Sequence, residues 1–154
     1  MANLSHLVAY DDDYHAWVLE QIALLEAARF NDLDIAHLTD ELKSLANMTK
    51  REIESRLTVL LQHLLKWQFQ ADRRSNSWRA TIIEQRRRIN AELADSPSLR
   101  RYPAAVIEEE YVLARLRAAD ETGLPVKRFP STCPYSAVEA LDDRFWPGGG
   151  DFEQ

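Results

Sequence analysis

The chain has 154 residues, 45% of them hydrophobic, with four Gly, one Cys and a net charge of −6. That length suits one domain with a core of its own, and the lone Cys133 excludes both an internal disulfide and a multi-cysteine zinc site. Residues 1–20 carry four acids and no Lys or Arg, the wrong charge for a signal peptide, and no apolar run is long enough to span a bilayer.

The first helix is expected to begin in Asp11-Asp12-Asp13, where acids suit the positive end of the helix dipole, and to end near Arg29. Its stripe is Tyr14, Trp17, Val18, Gln21, Leu24, Leu25 and Ala28, with Gln21 as the polar exception. The second helix starts near Asp34. Ile35, Leu38, Leu42 and Leu45 form one heptad stripe; Ile53, Leu57, Leu60, Leu64 and Trp67 form another. The two are eight residues apart and out of register, yet no Gly or Pro lies between them, which favours one helix over 34–70. A helix that long needs partners along its whole stripe.

Residues 71–77 read as a polar turn, with Ser75 or Ser77 capping a third helix whose stripe is Trp78, Ile82, Gln85, Ile89 and Leu93. Asp95-Ser96-Pro97 offers another cap with Pro at the first helical position. A fourth helix is predicted over about 103–122, burying Ile107, Tyr111, Ala114 and Ala118, with Gly123 as its stop and Pro125 beyond. In the tail, Ser136-x-x-Glu139 caps one short helix, and Phe129, Tyr135, Phe145 and Trp146 are plugs that pin an otherwise irregular run to the core. The fold class is therefore all-α: an antiparallel bundle of about four main helices with an aromatic, proline-rich C-terminal clasp. It divides into a helical core over 8–122, a docked tail over 123–147 and a frayed end over 148–154.

Several stretches resemble a known family. They include Tyr10-Asp11-Asp12-Asp13-Tyr14-His15-Ala16-Trp17, Glu54-Ser55-Arg56-Leu57, Leu60-Leu61-Gln62-His63-Leu64-Leu65-Lys66-Trp67-Gln68, Arg74-Ser75-Asn76-Ser77-Trp78 and Phe129-Pro130-Ser131-Thr132-Cys133-Pro134-Tyr135. Together they are similar to the bacterial domain-of-unknown-function family twenty-nine over about residues 8–147. The resemblance implies a compact helical fold and supplies no activity. Ala46 stands where the family pattern has Gly, and Ala71 where it has Pro; both favour longer helices.

Charge is segregated along the chain. Residues 1–47 carry nine acids and two bases (−7), 48–107 six and twelve (+6), and 108–154 ten and five (−5). The basic middle holds the strongest candidate site, an anion-binding turn of His63, Lys66, Gln70, Arg73, Arg74, Ser75, Ser77, Arg79, Gln85 and Arg86. The structural alternative makes Ser75 and Ser77 caps and the arginines partners of the acidic first helix. Arg86-Arg87-Arg88 covers most of a helix circumference and reads as a solvated face. His37-x-x-Asp40-Glu41 lacks the His and Glu spacings of helical metal sites, and no Gly-rich loop or Gly-x-Ser-x-Gly is present, so no metal, cofactor or catalytic residue is expected. The leading expectation is a non-catalytic cytoplasmic interaction module, its long helix covered by a second copy or another protein. Anion or nucleic-acid binding at the turn 70–88 is the alternative, nucleic acid being disfavoured by the acidic whole; a metal-dependent hydrolase ranks last.

Overall fold

The computed structural model describes residues 7–149. Among these residues there is no strand, and the helices are α1 (Tyr14–Glu26), α2 (Ile35–Phe69), α3 (Asn76–Asp95), α4 (Tyr102–Thr122) and α5 (Ala137–Leu141). The chain forms two compact units, Met1–Asn47 and Met48–Gln154.

In the first unit, α1 is capped by Asp13, whose side chain accepts from the Ala16 amide at 2.9 Å. The helix closes with Ala28 in the left-handed region at φ 56°. The Arg29 amide returns to the Leu24 carbonyl and the Ala28 amide to that of Leu25, satisfying two carbonyls the helix end would leave bare. Gly normally occupies that left-handed position, because a Cβ crowds the following carbonyl there. The polar exception in the α1 stripe is resolved by one bond: buried Gln21 accepts the Asp34 amide at 2.8 Å. Asp34 in turn caps the start of α2 by accepting from the His37 amide at 3.3 Å. Among the described residues of this unit, Trp17 and Leu24 are the buried hydrophobic ones.

The second unit holds the contiguous core. Ile53, Leu57, Leu60, Leu64 and Trp67, the predicted stripe of α2, are buried with Leu61 and Leu65. Side-chain contacts between the helices fix their directions. Along α2 and α4, Glu54 meets Tyr102, Thr58 meets Glu110, Lys66 meets Glu121 and Gln70 meets the Thr122 carbonyl, so the numbers rise together and these helices are parallel. Along α2 and α3, Arg56 meets Gln85 and Lys66 meets Trp78, so α3 runs the other way. The small residues Ala114 and Ala118 of α4 are fully buried, letting its backbone come close to the leucines. Ser75 caps α3, Gly123 ends α4 at φ 70°, and Ser136 and Glu139 form the capping box of α5.

The aromatic tail residues are built into this core. Phe129 and Tyr135 are buried, with Phe145 and Trp146 packed against the cluster. Phe129 meets Phe69 edge-on with centroids 5.3 Å apart, and the Tyr135 hydroxyl donates to Gln68 at 2.7 Å. Of the end expected to fray, residues 150–154 lie outside the described residues.

Asp95 ends α3, and Ser96 stands at the cap position of a 3-10 turn over Pro97–Leu99 with Pro97 at its start, as expected, although the Ser96 side chain makes no capping bond. Two local expectations need correction. Ala71 does not lengthen α2, which stops at Phe69 and is followed by a 3-10 turn over Ala71–Arg73. Arg86 does not face water. It lies four residues after Ile82 and three before Ile89, on the buried face of α3, and is fully enclosed while Gln85 is only half-buried.

Candidate functional site

The residues of the basic turn separate into groups, each with partners inside the second unit. Lys66 is buried; its Nζ donates to Glu121 at 2.5 Å and sits 4.5 Å from the Trp78 ring centroid. His63 hydrogen-bonds through Nδ1 to the Val59 carbonyl at 2.9 Å, so Nδ1 carries the proton, and burial lowers the pKa of the ring. Gln70 donates to the Thr122 carbonyl at 3.2 Å, and Gln85 accepts from Arg56 at 3.2 Å. Ser75 accepts the Trp78 amide at 3.2 Å as the cap of α3. Ser77 and Arg73 are exposed.

Arg74 and Arg86 form a second group, and their bonds run to backbone carbonyls, not to acidic side chains. Arg74 donates to Trp67 at 2.8 Å, to Pro147 at 3.4 Å and to Gly149 at 3.3 Å, with its guanidinium 4.8 Å from the Trp67 ring centroid. Arg86 donates to the Ala140 carbonyl at 2.7 Å and the Phe145 carbonyl at 2.6 Å. In the tail these arginines supply donors to the Ala140 carbonyl at the end of α5 and to the carbonyls of Phe145, Pro147 and Gly149 in the irregular run beyond it. Their guanidinium forks are the pins of the clasp, a role that triple-Arg spacing cannot show because the carbonyls lie more than fifty residues further along.

Arg79 takes a different position. With Ile83, Arg87 and Asn90 it lines one side of a cleft of ≈ 490 Å³, and Asp143 and Trp146 line the other.

The first unit contains a site that motif reading missed. Glu41 accepts from the hydroxyls of Tyr10 at 2.5 Å and Tyr14 at 2.8 Å. Tyr10 stacks on His37 with centroids 4.2 Å apart, and meets Trp17 edge-on at 4.9 Å. Asp34 accepts from Trp17 Nε1 at 3.1 Å and lies 2.7 Å from His37 Nδ1. The hydrogen bond from Tyr10, then that from Tyr14, holds Glu41 below the ordinary carboxylate range; the bond to His37 leads in doing the same for Asp34. The signal was present as spacing: Tyr14 and Trp17 step by three on α1, and His37 and Glu41 by four on α2, so each pair shares a helix face, with Tyr10 and Asp34 in the segments just before the two helices.

Beside this cluster an apolar groove of ≈ 270 Å³ opens between α1 and the first turns of α2. Trp17 is among its lining residues, and Ile22, Leu25, Leu42 and Leu45 line it while remaining 44%, 47%, 64% and 59% exposed. Scattered surface leucines are ordinary, but four converging on one groove beside a polar lip at Glu41 are a patch.

Other chemistry is weakly provided for. Burial pushes the Cys133 thiol up to about 11, and its Sγ donates to the Tyr135 carbonyl at 3.3 Å, which keeps it a thiol at neutral pH. Among the described residues, no three His, Cys, Asp or Glu side chains gather as metal donors, and no helix is long and apolar enough to cross a membrane.

No curated protein and no solved structure matches this chain. One family model does, the Domain of unknown function DUF29, over residues 9–146, so this helical chain belongs to that family.

Proposed function

We propose that this protein is a non-catalytic interaction module of the bacterial cytoplasm, whose N-terminal unit docks a partner's amphipathic helix with Lys and Arg flanking its apolar face. The observation that carries this reading is the open groove with Ile22, Leu25, Leu42 and Leu45 on its walls. A helix laid in such a groove inserts side chains spaced three and four apart, and each aliphatic contact withdrawn from water contributes about 1 kcal/mol. Charge selects the partner. Residues 1–47 carry nine acids against two bases, a balance of −7, so a basic flank is attracted and an acidic one repelled. The same charge argues against two copies meeting groove to groove. The lone Cys133, held as a thiol, favours the reducing compartment.

The test uses two synthetic helical peptides with the same leucine face, one flanked by Lys and one by Glu, titrated against the full chain. The Lys-flanked peptide should bind saturably, weaken with salt, and lose about tenfold or more with Leu42→Asp. Equal binding of both peptides, or indifference to Leu42→Asp, counts against the proposal. A concentration-dependent dimer in sedimentation that Leu42→Asp abolishes would replace the partner helix with a second copy.

A further inference from the structure

We infer that Glu41 fixes the register of the helix that docks in the N-terminal groove, by taking one Lys or Arg side chain at a single position of that helix. This rests on the docking reading above and gives one residue of the groove a specific task. Leu38, Glu41 and Leu45 step by three and four along α2, and all three line the groove. A helix that covers the two leucines therefore also passes over the carboxylate between them. Tyr14 meets Glu41, while Trp17 and Gln21 both meet Asp34, so α1 and α2 are antiparallel. Glu41 and Tyr14 thus mark one end of the groove, and Ile22 and Leu25 line it about two to three turns further along α1.

The carboxylate is set in place before any partner arrives. One oxygen accepts from Tyr10 at 2.5 Å and the other from Tyr14 at 2.8 Å, and each keeps a lone pair for a further donor. The Tyr10 ring is itself held, stacked on His37 at 4.2 Å. Ordering Glu41 in advance lowers the cost of binding against it. The hydroxyls hold the group below the ordinary carboxylate range, so it is an anion at neutral pH, and they do not neutralise it. Residues 1–47 contain two bases, Arg29 and Lys43. Arg29 pairs with Asp32 at 2.7 Å. Lys43 follows Glu41 by two residues and so leaves α2 about 200° further round its axis.

A purely apolar helix laid over Leu38 and Leu45 would strip water from this anion and leave it with two neutral donors. Covering an unpaired charge costs more than the neighbouring leucine contacts contribute. Docking is therefore favourable when the incoming helix places a cation opposite Glu41, and the residue acts as a filter against helices that lack one. The half-exposed Tyr14 ring, which also lines the groove, offers an apolar surface to the stem of that Lys or Arg. The balance of −7 over residues 1–47 attracts a base wherever it stands on the partner, whereas Glu41 attracts it at one place.

A lysine scan tests it. Synthetic helical peptides that share one leucine face carry a single Lys, moved through the positions bordering that face, and are titrated calorimetrically against the full chain. One position, or two that lie three or four residues apart, should bind about tenfold or more tighter than the others and than a peptide with Gln in place of Lys. That preference should survive raised salt, which screens attraction at a distance far more than a pair shielded from water. Glu41→Gln, with its fold checked by near-ultraviolet circular dichroism at neutral pH, should level the series and bind the Lys-free peptide more tightly than the unaltered chain does. Leu42→Asp should weaken every peptide. If the peptides bind with sensitivity to Leu42→Asp but equally at every Lys position, or if Glu41→Gln leaves the preferred position intact, the role of Glu41 is overturned and the groove reading stands. If none of the peptides binds, both are overturned.

Discussion

The two ends of α2 carry the same kind of leucine stripe and meet opposite fates. In the second unit, Leu57, Leu60 and Leu64 are fully enclosed by α3, α4 and the tail. In the first, Leu42 and Leu45 stay 64% and 59% exposed. Heptad spacing says only that a face is apolar; whether water reaches it depends on what the rest of the chain brings there. The polar groups follow the same division. In the second unit Arg74 and Arg86 are spent on internal bonds that fasten the tail, whereas in the first Glu41 stands at the edge of an open apolar groove.

The sharpest way to break this contrast is Arg86→Ala in the second unit. It strips donors from the Ala140 and Phe145 carbonyls and leaves a void, and should cost about 3–5 kcal/mol in urea unfolding. A cost below about 1 kcal/mol would mean the tail does not need this pin. Next comes a matched pair of truncations on one helix. Leu64→Ala should lose about 3 kcal/mol and Leu42→Ala less than about 0.5, and similar losses at both would show that the first stripe is covered in solution.

A smaller effect of opposite sign is expected at Ala28. Placing Gly at its φ of 56° removes the Cβ clash but adds unfolded-chain entropy, for a net gain of about 0.5–1 kcal/mol in the first unit. A loss on Ala28→Gly would show that the turn is not left-handed.

Titration gives the finest comparison. Tyr10 and Tyr111 are both pushed up to about 12, Tyr10 chiefly by its hydrogen bond to Glu41 and Tyr111 chiefly by burial. For such raised groups the stabilisation is present below the ordinary tyrosine value and lost as pH rises through about 12. Glu41→Gln should therefore bring two phenolate transitions down, those of Tyr10 and Tyr14, which both donate to Glu41, and leave Tyr111 in place. On the acid side Glu41 and Asp34 are depressed, so their contribution is full above the ordinary carboxylate range and lost as pH falls through their lower folded values. Near-ultraviolet circular dichroism of the aromatic cluster should fade with acid along that course, and less steeply in Glu41→Gln.

Helix positions were readable because their signals are local. Asp13, Ser75, Gly123 and the Ser136/Glu139 box act on backbone groups within a few residues, so a linear reading finds them. Family membership was readable for the same reason, as an ordered series of short motifs. The candidate turn was less transparent. The residues named there do lie near one another in sequence, but Lys66 turns to Glu121, Gln70 to Thr122, Arg74 to Pro147 and Arg86 to Ala140. Each partner is about fifty or more residues away, beyond any spacing rule.

Composition and periodicity thus settled the all-α class, the caps and the apolar faces, because hydrogen bonds between near neighbours and the 3.6-residue turn are properties of a short segment. The three-dimensional packing alone decided which leucines are covered, that Arg86 is buried among them, and that Trp146 and α3 bound a cleft. Burial is a relation between distant segments. The free energy of enclosing a side chain depends on the surface that comes to meet it, and no window along the chain contains both.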